Sequence, residues 1–273
     1  ELKILGYVFK TNTDTEVLLY SWIHWNKECF KKILGMFSFV IFDKKTLQLL
    51  CARDSFGIKP FFYIFNDQGF YFSSEIPPLI EILEYKPKLD HNRAIDHLVW
   101  GMHDNQKNTF YKGVKHLAPG HFMTIKLSNN LNPNATKWWD PSISEMKINK
   151  NQIKENIRDI FLRSVKLHLR SDVPLGISLS GGLDSSAIIG AIKYLHKDFP
   201  INTFSYINNA ENNEEKWIDL MNLYAHTNAN KFTFTENDLS DDLDKFILLQ
   251  GEPLGANSSY YIDYVIHKKA KES

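Results

Sequence analysis

Residues 176–186 read Gly176-Ile177-Ser178-Leu179-Ser180-Gly181-Gly182-Leu183-Asp184-Ser185-Ser186, and within this run strand chemistry gives way to helix chemistry. Gly176 to Leu179 read as a short buried strand, and Ala187-Ile188-Ile189-Gly190-Ala191-Ile192 as the helix that follows. Between them, Gly181 and Gly182 let the backbone turn tightly and come close to a ligand. Ser180, Ser185 and Ser186 add hydroxyls where a helix N-terminus offers unpaired N–H groups and a partial positive charge. Such a junction suits phosphate oxygens. The common nucleotide loop has Gly-Lys-Ser/Thr, with the lysine as point charge. This one has no lysine, and Asp184 sits in the cradle instead. A carboxylate beside phosphates is repulsive unless a divalent cation lies between them, so Asp184 implies Mg²⁺. A plain capped turn explains less, because two glycines, an acid and three hydroxyls exceed what a helix cap needs.

The sequence around the loop keeps one rhythm. Ile153, Ile157, Ile160, Phe161, Val165 and Leu169 recur at helical spacing before it. After it, Ile201 to Ile207 reads as a strand, and Trp217, Leu220, Met221 and Tyr224 mark a helix. Lys231 to Thr235 reads as another strand, and Leu239, Leu243, Phe246 and Ile247 as another helix. Strands separated by helices predict a parallel sheet with right-handed crossovers. Ligands bind such sheets outside the carboxyl ends of the strands, which is where Ser180 to Ser186 falls.

The first half differs. Glu16 to Trp25 reads as a helix. Phe37 to Phe42 and Leu47 to Ala52 read as strands joined by Asp43-Lys44-Lys45-Thr46. A second pair, Phe61 to Phe65 and Phe70 to Ser73, flanks Asn66-Asp67-Gln68-Gly69, and two such hairpins predict an antiparallel sheet. Asp90 caps a helix running to Trp100, and His121 to Lys126 is a strand after the Pro119-Gly120 turn. Between 128 and 151 the composition turns polar, with Ser128-Asn129-Asn130-Leu131-Asn132-Pro133-Asn134 and Asp140-Pro141-Ser142 as turn chemistry. We therefore expect one domain over 1–135, a linker over 136–151 and a second domain over 152–273.

Composition excludes several classes. A length of 273 residues gives room for about two domains. With 32 charges of each sign, nothing points to nucleic acid or an anionic membrane as partner. No apolar run approaches a membrane span, and no signal peptide is evident. Glu1-Leu2-Lys3 lacks an initiator Met, so the chain reads as beginning partway through a longer protein. Cys29 and Cys51 lack metal spacing and read as reduced, packed thiols of a cytoplasmic protein. The ten histidines form no zinc-binding pair pattern, and Lys268-Lys269-Ala270-Lys271 reads as a solvated helix end.

Ser180-Gly181-Gly182-Leu183-Asp184-Ser185 resembles the pyrophosphate loop of the ATP pyrophosphatases, which cleave ATP between its α and β phosphates. The preceding Leu169-Arg170-Ser171-Asp172-Val173-Pro174-Leu175-Gly176 resembles glutamine-dependent asparagine synthetases and their amidotransferase relatives. Upstream, Thr13-Asp14-Thr15-Glu16-Val17, Gly35-Met36-Phe37-Ser38-Phe39 and Ala52-Arg53-Asp54-Ser55-Phe56-Gly57-Ile58-Lys59-Pro60 resemble successive motifs of their glutaminase half. Phe72-Ser73-Ser74-Glu75 and Leu117-Ala118-Pro119-Gly120-His121 continue the likeness in the same order.

The resemblance implies an incomplete N-terminal-nucleophile glutaminase, an αββα sandwich, followed by a parallel-sheet ATP-pyrophosphatase domain. It implies that Asp14 holds the α-ammonium of glutamine by charge-assisted hydrogen bonds. As a helix residue, Asp14 would also be the N-cap of a helix starting at Glu16. Ser180, Gly181, Gly182, Asp184, Ser185 and Ser186 would bind ATP phosphates with Mg²⁺, Ser178 would border the nucleotide, and Tyr206 would meet adenine through its backbone. Gly251-Glu252-Pro253 resembles a turn near the acceptor pocket, with Glu252 either an active-site acid or a solvated turn residue. The implied reaction is amidation of a carboxylate through an acyl-AMP, using ATP and glutamine. The acceptor is aspartate, with a sugar uronic acid or another carboxylate as the alternative, and a non-catalytic nucleotide-binding module as the rival reading. A homodimer is compatible with this reading. The family's nucleophilic N-terminal cysteine is absent, because residue 1 is Glu, and a second pyrophosphate motif would lie beyond Ser273. The chain alone is accordingly expected to be inactive as a glutaminase and as a synthetase.

Overall fold

The computed structural model describes residues 1–102, 107–127, 133–145, 149–208, 214–253 and 259–273. The polar turn read at 128–132 lies outside the described residues. Contacts divide the chain into one unit of Glu1–Ile143 with Gln250–Gly255, and a second of Ser144–Leu249 with Ala256–Ser273.

In the first unit, α1 spans Asp14–Trp25. Its cap is Thr13, whose side chain accepts from the Glu16 N–H, so Asp14 is the first helical residue rather than the cap expected from sequence. A 3₁₀ turn over Asn26–Lys31 buries Cys29 and Phe30. β1 (Ser38–Asp43) and β2 (Gln48–Arg53) form an antiparallel hairpin with Val40 opposite Cys51. β3 (Phe62–Asn66) and β4 (Gly69–Ser73) form the second hairpin. Two helices follow, α2 (Pro77–Ile82) and α3 (His91–Trp100), the latter capped by Asp90 as its sequence predicts. β5 (Val114–His116), β6 (His121–Lys126) and β7 (Asn134–Lys137) complete this unit's strands among the described residues.

The two hairpins do not share one sheet. The order β1-β2-β6-β7 makes one antiparallel sheet and β4-β3-β5 another. Alternation along β2 explains why. Leu50 and Ala52 face a cluster with Cys29, Phe30, Trp22 and Trp25, whereas Cys51 faces Phe61, Tyr63 and Met123. The first sheet therefore carries α1 and the 3₁₀ turn on one face and the second sheet on the other. Beyond the second sheet, Ile64 and Val114 pack on Ile76 and Leu79 at α2. Cys29 and Cys51 are free thiols, and burial pushes them up to about 11 and about 12. β7 crosses the domain end expected at residue 135, and Trp138 packs into the first unit, with its indole N–H donating to the Arg53 carbonyl at 3.2 Å.

In the second unit, α4 (Lys150–His168) is capped by Asn149. The order then runs β8 (Gly176–Ser178), α5 (Leu183–Leu195), β9 (Asn202–Tyr206), α6 (Glu215–Ala225), β10 (Asn228–Phe232), α7 (Glu236–Gln250) and α8 (Ser259–Glu272). The sheet is parallel, in the order β10-β9-β8. Its core gathers Val165, Leu179, Ile189, Ile192, Ile201 and Ile218. The last strand lies three residues before the Lys231–Thr235 predicted for it. Asn228 and Asn230 tie that earlier register to β9 through side-chain amide bonds to Asn202 Oδ1 and the Thr203 carbonyl. Helix α4 follows its predicted spacing, yet only the Val165 end of the apolar stripe is buried; Ile157 and Ile160 stay exposed.

Candidate nucleotide site

β8 ends at Ser178, whose register partner is Phe204 of β9. Gly176 allows that pairing, since a Cβ there would stand 2.8 Å from the Phe204 ring. Leu179 is buried and donates its N–H to the Phe204 carbonyl at 2.9 Å, so the chain stays on the sheet until Ser180. Ser205 then fastens the exit: its buried hydroxyl donates to the Leu179 carbonyl at 2.7 Å. Sequence reasoning missed Ser205, because a serine inside a strand pattern carries no signal of its partner.

The two loop glycines have different reasons. Gly181 has φ +80, and a Cβ on it would meet the Glu214 carbonyl oxygen at 2.9 Å. Gly182 is the N-cap of α5 with φ −72, and its nearest neighbour is Ser180 Oγ at 3.3 Å. Only the first of the pair needs a glycine for its backbone. The Ser180 hydroxyl accepts from the Gly182 N–H at 3.3 Å and stands 3.2 Å from the Ser185 hydroxyl, which also donates to the Gly182 carbonyl. These contacts hold the turn closed over the start of the helix.

Helix α5 begins at Leu183, four residues before the apolar stretch that marks it in sequence. Leu183, Asp184 and Ser185 therefore fill its first turn. Their backbone N–H groups carry no hydrogen bond among the described residues, as the opening turn of a helix dictates. Ser186 makes the first helical bond, to the Gly182 carbonyl at 3.2 Å. The Asp184 carboxylate is exposed and has no hydrogen-bond or ion-pair partner among the described residues. The loop thus offers three free N–H donors, three hydroxyls and one uncommitted acid at the carboxyl end of a parallel strand. That donor set fits phosphate oxygens, and the acid fits a divalent cation bridging to them. Among the described residues no cluster of three or more His, Cys, Asp or Glu is placed to hold a metal by itself. A cation here would need ligand oxygens for the rest of its shell.

Tyr206 closes β9 with its ring stacked on Phe234 at 4.6 Å, and Phe234 meets Tyr261 edge-on at 4.8 Å. Asp14 and Glu252 belong to the first unit, the loop to the second. Asp14 is exposed in the first turn of α1, where the helix dipole favours an acid. Its neighbour Glu16 receives the backbone N–H groups of Lys10 and Thr11 at 2.9 and 2.7 Å, and these bonds lower its carboxyl pKa. Glu252 is neither free nor merely solvated, since one carboxylate oxygen accepts the Phe110 N–H at 2.7 Å. Among the described residues no helix is long and apolar enough to cross a membrane.

Comparison with known proteins assigns the two units in turn. A glutamine amidotransferase domain matches residues 1–139, and an asparagine synthase domain matches residues 156–273. The chain thus pairs an amidotransferase domain with a synthase domain. It belongs to the asparagine synthase-like family of glutamine amidotransferases. Asparagine synthetase [glutamine-hydrolyzing] 3 of Bacillus subtilis is 31% identical over 267 residues, covering 93% of this chain and 43% of the relative. Asparagine synthetase [glutamine-hydrolyzing] 1 of the same organism is 34% identical over 205 residues, covering 75% of this chain and 32% of the relative. Amidase chry2 of Gibberella zeae is 28% identical over 196 residues, covering 70% of this chain and 28% of the relative. The chain spans less than half the length of each of these three.

Proposed function

We propose that this protein amidates a carboxylate, aspartate to asparagine, using ATP and ammonia drawn from glutamine. The observation that carries the proposal is the loop Ser180–Ser186, whose free helix N–H groups and uncommitted Asp184 stand at the carboxyl end of β8. The names of the Bacillus relatives support the same chemistry. On this reading the first unit is the glutaminase, of N-terminal-nucleophile type, and the second an ATP-pyrophosphatase domain.

A free carboxylate is a poor electrophile, so activation as an acyl-AMP would precede attack by ammonia. Mg²⁺, when bound, would neutralise charge that grows on the departing pyrophosphate. Asp184 would hold that cation. The N–H groups of Leu183, Asp184 and Ser185, with the hydroxyls of Ser180, Ser185 and Ser186, would receive the phosphate oxygens. Gly181 and Gly182 would bring the backbone close, Ser178 would border the nucleotide, and the Tyr206 backbone would meet the base. In the first unit, Asp14 would bind the α-ammonium of glutamine. The alternative acceptor within the same chemistry is a sugar uronic acid or another carboxylate.

Incubation with ATP, Mg²⁺, glutamine and aspartate, read by mass spectrometry, tests this. From a polypeptide that joins this chain to the N-terminal cysteine and second pyrophosphate motif of the family, asparagine, AMP and pyrophosphate in equal amounts are expected; the chain alone is expected to form none. Formation of ADP and phosphate instead would overturn the adenylation chemistry, and AMP formed only with another carboxylate would overturn the acceptor.

A further inference from the structure

At the other end of the second unit's sheet lies a cavity of about 680 Å³. Its wall takes Arg163 and Lys166 from α4 and Arg170 from just beyond it, then Lys197, Asp198 and Phe199 from the turn between α5 and β9. The loop 180–186 opens α5 and this turn closes it, so a helix of thirteen residues, about 20 Å, separates the two places.

Basic side chains gather at helix C-termini to balance the dipole, and α4 and α5 both end here. Other groups already stand at those ends. Lys193 Nζ donates to the Lys197 and Phe199 carbonyls at 3.0 and 3.4 Å. The His168 ring bonds the Ser164 carbonyl at 2.8 Å, and the Leu169 N–H bonds that of Val165. None of Arg163, Lys166, Arg170 and Lys197 has a carboxylate partner among the described residues. Counting about half a negative charge for each helix end, and one for Asp198, roughly two positive charges stay unbalanced in the cavity. Two arginines in that set favour a ligand whose oxygens they can fork.

We propose that this cavity is a second anion site, taking a small molecule with two linked phosphate groups. The cations are the protein's own, so the site works without a divalent metal, unlike the loop. Phe199 supplies an apolar wall against which an organic group can lie.

Equilibrium dialysis of the full chain against radiolabelled pyrophosphate in EDTA tests the proposal. The expected result is saturable binding of one molecule per chain, weakened at least tenfold in Arg163→Gln/Arg170→Gln. Both arginines are exposed, and circular dichroism would verify that the double variant folds. ADP in place of pyrophosphate separates the sources: tighter binding names a nucleotide, equal binding names free pyrophosphate. Absence of saturable binding overturns the proposal. So does a lowered melting temperature in the double variant with pyrophosphate binding unaltered, which would leave the cations to the helix ends.

Discussion

Gly181 and Gly182 look interchangeable in the sequence, and the structure separates them. An alanine at 181 must hold φ +80 and press its Cβ to 2.9 Å from the Glu214 carbonyl, which is backbone and cannot swing aside. An alanine at 182 keeps φ −72 and meets only a serine hydroxyl. The left-handed region costs an L-residue about 1–2 kcal/mol before any steric term. Gly181→Ala is therefore expected to destabilise the second unit by roughly 2–3 kcal/mol, and Gly182→Ala by less than about 1 kcal/mol. Urea denaturation of the two variants measures this, and equal losses would contradict the assignment. The same scale corrects the cap expected at Asp14 and the solvated-turn reading of Glu252. Thr13 does the capping, which leaves the Asp14 carboxylate exposed, while Glu252 holds the Phe110 N–H. Neither exchange shows in sequence spacing, because both depend on where a polar side chain turns.

Arg53 and Asp54, at the end of β2, organise the segment after it. Asp54 is buried, and its carboxylate accepts the N–H groups of Phe37, Phe56, Ile58 and Lys59 at 3.0–3.3 Å. Arg53 donates to the carbonyls of Gly57, Lys59 and Leu117. Asp54→Ala strands several of these donors, each costing about 1–3 kcal/mol where water cannot reach, so a loss of roughly 3–5 kcal/mol is expected. Thermal melting of the first unit measures it, and a loss below about 1 kcal/mol would contradict this role. Elements with strong periodicity were legible: the β1–β2 and β3–β4 hairpins, α3 with its Asp90 cap and the strand His121–Lys126 all stand where their patterns put them. The three residues of β5 and the exposed four of β7 are too short or too polar for alternation to show. The last parallel strand was misplaced because Phe232-Thr233-Phe234-Thr235 alternates well. Phe234 instead leaves the sheet to stack on Tyr206, and pairing falls on the Asn residues before it. That the hairpins would separate into two sheets depended on both faces of β2 being apolar, which a single strand's alternation does not reveal.

On the scale of the whole chain, each unit has its own apolar clusters, so each can respond separately to ligand or substitution. Family membership follows from both halves, and the reaction proposed for them needs nucleotide in the second. The placement of the loop at a strand's carboxyl end could be read from the alternation of elements, whereas the closure of that loop by Glu214 and Ser205 could not. A ligand that binds only the folded second unit raises its unfolding temperature by linkage. The substitution to pair with it is Asp184→Ala, since this side chain is exposed and has no partner among the described residues, so its loss leaves folding intact. Titration calorimetry of MgATP into the chain and into Asp184→Ala is the deciding measurement. The account predicts saturable binding to the unaltered chain that weakens at least tenfold in the variant; equal binding by the two would contradict it.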